Sequence, residues 1–116
     1  MSSSSAIPVA TSTPRRCLNV QPGEVWCFVD ERPRRVAMRG EIDLNTRPQL
    51  AGAYRELARL APADVVVDLA DVTFIGCVGL ELVVRLTAHL EPTGHTLVID
   101  SPSPPARRLL ELTGFL

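Results

Sequence analysis

The sequence predicts a single small α/β domain: a mixed β-sheet flanked by helices, in the order β-β-α-β-α-β-α. Three observations carry this. Two short continuous apolar runs, Asp64–Leu69 (DVVVDL) and His95–Asp100 (HTLVID), have the length and Val/Ile/Leu content of strands buried on both faces, as in a parallel arrangement covered by helices. Stretches with helical spacing separate the strand runs, as strand–helix–strand units require. The 116 residues are 46% hydrophobic and 22% charged, which suits one ordinary globular core, and with aromatics at 4% that core must be built from Val, Leu, Ile and Ala.

Taken in order, residues 1–16 are rich in Ser, Thr, Ala and Pro and predict a solvated, disordered tail, with the domain occupying 17–116. The segment from Arg16 to Pro22 (RCLNVQP) reads either as a short edge strand or as more tail. Val25–Asp30 (VWCFVD) is dense in β-formers. Arg35–Ile42 alternates, with Val36, Met38, Gly40 and Ile42 on one side and Ala37, Arg39 and Glu41 on the other. Pro33 lies between the two runs, so an antiparallel hairpin is expected.

The next segment holds the clearest helix. Thr46 and Gln49 have capping-box spacing, and Pro48 falls in the first turn, where its missing N–H costs nothing. Leu50, Ala53, Tyr54 and Leu57 form the apolar stripe, and Pro62 ends the helix. After DVVVDL, the stretch ADVTFI leads into a turn at Gly76–Gly79. A second stripe then follows from Gly79 through Leu80, Val83, Val84, Leu86 and Leu90. Beyond the strand His95–Asp100, Ser103 is placed as an N-cap, Pro104 as the first helical residue, Ala106, Leu109 and Leu110 as the inner face, and Gly114 as the stop.

Composition narrows the function classes. A net charge of −1 gives no electrostatic case for nucleic acid or an anionic membrane, and every basic residue counted in it is Arg. No apolar run approaches the ~18 residues of a membrane span, and the N-terminus lacks the features of a secretory signal. The three cysteines (Cys17, Cys27, Cys77) are widely spaced and form no metal or disulfide framework. These features predict a cytoplasmic domain with no cofactor and no metal.

Three stretches in register resemble a known family. GEIDLNT (Gly40–Thr46), VVVDLADVTFIGCVGLELVVRL (Val65–Leu86) and SPPARRLLELTG (Ser103–Gly114) together resemble STAS domains, in particular bacterial anti-sigma factor antagonists. The resemblance implies a non-enzymatic switch. Such a protein binds an anti-sigma factor that is also a serine kinase, and so regulates sigma-factor-dependent transcription. The kinase phosphorylates a serine in the turn before the second helix, and the added charge abolishes binding. In the family that turn reads Asp-Ser-Ser/Thr-Gly. Here it reads Gly76-Cys77-Val78-Gly79, so the acid and both hydroxyls are gone. The resemblance therefore implies binding without the usual serine switch, Cys77 occupying a degenerate phosphoacceptor position. The partner-binding residues it implies are Asp43, Asn45, Thr46, Gly76, Cys77, Val78, Gly79 and Glu81. It also leaves open an accessory subunit of a membrane lipid transporter.

Three readings of Cys77 stand side by side: a small buried filler of a tight turn, a redox-responsive thiol at a helix N-terminus, and a nucleophile. No base can be placed beside it from sequence, so no enzymatic activity is expected. Gly76 and Gly79 are read as positions where a side chain would clash or the backbone would be strained. Asp68 is expected to bond turn amides, Arg107 and Arg108 to sit on a wet face, and Trp26 to serve the core or an edge strand.

Overall fold

The computed structural model describes residues 22–116, together with the backbone of Ala6–Pro8. Its five strands lie in chain order across one sheet: β1 (Ala6–Pro8), β2 (Glu24–Phe28), β3 (Arg34–Ile42), β4 (Val65–Ile75) and β5 (Leu97–Asp100). The β1/β2 and β2/β3 pairs are antiparallel, and β3/β4 and β4/β5 are parallel. The helices are α1 (Arg47–Arg59), α2 (Cys77–Leu90) and α3 (Pro104–Leu112). The predicted order β-β-α-β-α-β-α therefore holds, with one strand added in front. That strand corrects part of the tail reading. Ala6 and Ile7 are apolar, and the free edge of β2 supplies the backbone partners, with Ile7 opposite Cys27. The rest of the predicted tail, and the segment 17–21, lie outside the described residues.

Period-two burial sorts the strand residues. Val25 and Cys27 of β2, Val36, Met38 and Ile42 of β3, and Val65, Val67 and Leu69 of β4 are buried in one cluster. The inner faces of all three helices join that cluster through Leu50, Ala53 and Leu57, through Leu80, Leu82, Leu86 and Leu90, and through Ala106 and Leu110. The helices thus cover one side of the sheet. The other side carries Trp26, Phe28, Arg35, Ala37, Val66 and Asp68, all only partly buried, and Val98, 54% exposed. This corrects the expectation that 64–69 and 95–100 are buried on both faces. An apolar run at a sheet edge or over an uncovered face needs only its alternate residues inside.

Local devices fix the element ends. Gly40 takes φ 76° at an irregularity in β3/β4 pairing, a conformation open to glycine at little cost. Ser103 caps α3, accepting from the Ala106 N–H at 3.4 Å. At its other end Gly114 adopts φ 85°, and the Phe115 N–H reaches the Leu110 carbonyl at 2.8 Å, closing a Schellman motif. Arg34, buried at the start of β3, donates to the Ala61 carbonyl at 2.6 Å just beyond α1, where unpaired carbonyls favour a cation. On the open face Arg35 lies 4.8 Å from the Phe28 ring centroid and pairs with Asp68 at 2.6 Å.

Candidate functional site

The parallel register sets Glu41 beside Phe74 and Ile42 beside Ile75, so β3 and β4 end together. The segments that follow them emerge side by side at the carboxyl edge of the sheet, the usual location of ligand sites in α/β folds. The Gly76 N–H donates to the Ile42 carbonyl at 2.9 Å and ties the two exits to each other. The Asp43–Arg47 and Gly76–Glu81 segments, proposed from sequence as one surface, are therefore neighbours.

The first segment is a 3-10 turn, Leu44–Thr46. Asp43 accepts from the Asn45 N–H at 3.0 Å, and its own N–H donates to Thr46 Oγ1 at 3.1 Å. The capping box belongs to Asp43 and Thr46, not to Thr46 and Gln49; α1 begins from Thr46 with no side-chain cap. Thr46 Oγ1 also donates to the Glu41 carbonyl at 3.2 Å, and the residue is 2% exposed. Gln49 is released for a different task. Its Oε1 accepts from the Val25 N–H at 3.1 Å, and its Nε2 donates to the Gly23 carbonyl at 3.1 Å, so one side chain continues the hydrogen bonding of β2.

The second segment is the first turn of α2. The helix begins at Cys77, two residues earlier than the Gly79 start read from the apolar stripe, with Gly76 as its N-cap and no side-chain cap. Cys77 is exposed, which overturns the buried-filler reading. The adjacent Val78 and Gly79 are buried, so they hold the turn against the core and offer a partner no side chain. The two glycines differ in kind. A Cβ on Gly79 would come within 2.7 Å of Ile75 Cδ1 and 3.1 Å of Ile42 Cγ2, so that glycine answers a close approach. A Cβ on Gly76 would meet nothing nearer than 3.9 Å, and its φ of −95° suits any residue. The expectation of a steric need at Gly76 is therefore corrected.

Of the eight residues proposed as partner-binding, Asn45, Cys77 and Glu81 are exposed, Asp43 and Gly76 are half-buried, and Thr46, Val78 and Gly79 are inside. The reading missed Leu44, 71% exposed, and Phe74, 50% exposed, which flank the same edge with apolar surface. The sequence carried no signal for Phe74: strict alternation after Val72 would turn it inward, but burial in β4 leaves period two after Leu69, with Val72 and Ile75 inside and Phe74 out. Glu81 meets Arg47 at 3.0 Å across the helix starts, an exposed pair worth roughly 0–1 kcal/mol.

Neither histidine stands beside the Cys77 thiol. His89 lies twelve residues along α2 from Cys77, roughly 18 Å at the helical rise. His95 sits at the far end of the sheet, with Nδ1 3.2 Å from Asp64 Oδ1. Neither can take the Cys77 proton. Burial pushes the Cys27 thiol up to about 11, with Glu56 adding a smaller push, so that thiol is inert. Cys17 lies outside the described residues. Among those residues no cluster of His, Cys, Asp and Glu could hold a metal, and no helix is long and apolar enough to cross a membrane.

Arg107 and Arg108 stand on the wet face expected of them, whereas Asp68 lies inside β4 and bonds a strand amide rather than a turn amide, and Trp26 sits on the uncovered face of β2, between β1 and β3, rather than in the core or an edge strand. Asp68 accepts from the Ala70 N–H at 2.9 Å, Trp26 is half-buried in β2, and the two arginines are exposed on α3. No curated protein matches the chain. A family model described as "Mlab, STAS domain" matches residues 28–115. That match runs from the last residue of β2 past the end of α3 and includes both segments at the carboxyl edge of the sheet, and the chain accordingly belongs to the STAS domain family.

Proposed function

We propose that the protein is a divergent anti-sigma factor antagonist, a cytoplasmic module that binds an anti-sigma factor of the serine-kinase type through the Leu44–Arg47 and Phe74–Glu81 edge. The observation that carries this reading is the exposure of Cys77 at the first residue of α2, flanked by exposed Leu44 and Phe74. Apolar surface beside exposed backbone at a helix entry is suited to a protein contact. In a hydroxyl-bearing relative, a phosphoryl group at this place would bring about −1.5 to −2 charges into the contact and expel the partner. A thiol in place of the hydroxyl removes that route. Binding is then set by the amounts of the two proteins.

The test uses purified anti-sigma kinases from the same genome. The wild-type chain is expected to bind at least one, and Cys77→Arg, which places a bulky cation in the contact, to lose it. After incubation with that kinase and ATP, intact mass and peptide mapping are expected to show no phosphate. Phosphate on Ser101 or Ser103 would move control to another loop. Absence of binding to every such kinase would defeat the antagonist reading.

A second reading is an accessory subunit of a membrane lipid transporter. The description of the matched family, which names Mlab and no anti-sigma antagonist, favours it. Co-purification with transporter subunits in place of an anti-sigma kinase separates the two.

A further inference from the structure

The seam between α1 and α2 runs away from the docking edge, and its charges are unevenly matched. Glu81, Arg85 and His89 follow one another at four-residue spacing along α2, facing Arg47, Ala51 and Tyr54 of α1. Arg47 is paired with Glu81. Arg85 has no carboxylate within ion-pair distance among the described residues. Its guanidinium instead stacks 4.0 Å from the Tyr54 ring centroid, and His89 meets the same ring edge-on at 6.0 Å. Beside it, a groove of about 160 Å³ is lined by Arg47, Leu50, Ala51, Glu81, Leu82 and Arg85. The α1 surface adds exposed Arg55, also without a carboxylate, and Arg59, paired to Glu56 at 3.2 Å. A chain of net charge −1 thus concentrates cations on one helix pair.

We propose that this seam receives an acidic polypeptide segment of the partner, with one carboxylate seated on Arg85 at the mouth of the groove. A guanidinium seated over a tyrosine ring is already partly fixed in place. It offers its fork to a carboxylate at a lower ordering cost than a free surface arginine. The groove has room for one side chain. Glu81 and Glu56 interrupt the arginines, an arrangement an extended peptide can thread between and a flat anionic lipid surface cannot avoid. The inference rests on the proposed docking edge only for the direction from which the partner comes, since the seam begins at the Arg47–Glu81 pair that borders that edge.

The experiment titrates capped hexaglutamate peptide into the full-length, 15N-labelled chain at low ionic strength. It follows the Arg85 Nε–H resonance and the amides of α1 and α2. Saturable shifts are expected along the seam. Arg85→Gln is expected to weaken binding about tenfold, and Arg85→Lys to fall between, because a lysine keeps the charge and loses the planar fork. Arg108→Gln removes the same charge from exposed α3 and is expected to stay within about twofold. Equal weakening by Arg85→Gln and Arg108→Gln, or shifts that avoid Arg85, overturns the proposal. Arg85-dependent binding to phosphatidylglycerol vesicles without binding to the peptide also overturns it, in favour of a lipid surface. The kinase panel keeps the two readings apart. A kinase lost with Cys77→Arg and unaffected by Arg85→Gln refutes the seam and leaves the edge. Peptide binding at the seam with no kinase bound upholds the seam and refutes the antagonist.

Discussion

Replacing Gln49 by leucine tests how the docking edge is held in place. The wild-type side chain is 6% exposed and bonds both the Val25 N–H and the Gly23 carbonyl, joining the first turn of α1 to the edge of β2. Leucine fills a similar volume and bonds neither group. The Val25 N–H is buried, and leaving it unpaired costs roughly 1–3 kcal/mol. The Gly23 carbonyl is only partly buried and recovers some of its loss from water, and the added apolar burial returns about 1 kcal/mol. The net is a loss of about 2 kcal/mol, which in a domain of this size lowers the melting temperature by roughly 10 °C. Thermal unfolding followed by circular dichroism reads the shift, and exchange of the Val25 amide reads its cause: that amide is expected to exchange faster than its neighbours in β2. Gln49→Glu provides an internal check. A carboxylate there accepts from Val25 but faces the Gly23 carbonyl, and burial raises its folded-state pKa. Its penalty is therefore expected to shrink as pH falls from 7 towards 5, while that of leucine stays constant. A leucine variant melting within about 2 °C of wild type would refute the reasoning.

Other outcomes follow from the same structure. Gly76→Asp is expected to stabilise by about 0.5–1 kcal/mol, because the site has room and an acid at an N-cap bonds and neutralises the start of α2. Gly79→Ala is expected to cost about 1 kcal/mol in urea unfolding, the clash with Ile75 outweighing the better helix propensity. In a Cys17→Ser background at pH 8, iodoacetamide is expected to modify Cys77 in the native protein and Cys27 only in denaturant, as the burial-raised Cys27 thiol requires. The Asp68 carboxyl is raised by burial, but the Ala70 N–H and the Arg35 guanidinium outweigh this and hold it below its usual value. Its stabilisation is thus present above the unfolded-state pKa and is lost as pH falls through the lower folded one. Asp68→Asn, which still accepts from Ala70, is expected to flatten the loss of stability below about pH 4.

Much of the site was legible in the sequence as a location and less of it as a surface. GEIDLNT and the Gly76–Gly79 turn stood out in the chain, and the parallel register does bring them together. Which side chains face outwards was misjudged. Thr46, Val78 and Gly79 were placed in the contact and are buried, whereas Leu44 and Phe74 were passed over and are exposed. Cys77 was read first as a filler because cysteine is so often buried, yet the first residue of a helix can project past the sheet edge. The capping box was assigned one step too far along because Thr46-to-Gln49 and Asp43-to-Thr46 share the same spacing, and only the fold shows that Gln49 is engaged with β2.

The sequence by itself determined the order of the elements after β1, most inner faces of strands and helices (Val84, read into the inner stripe of α2, is 50% exposed), and the caps of α3. Each of these is written in local periodicity or in one residue's backbone preference, and burial enforces it within a few positions. The tertiary structure alone decided that the helices cover only one side of the sheet, that Cys77 is accessible, and that Arg85 lies on Tyr54 without an acid. Those facts depend on which distant segments meet, and an alternation pattern says that a residue has an inside without saying what stands opposite it.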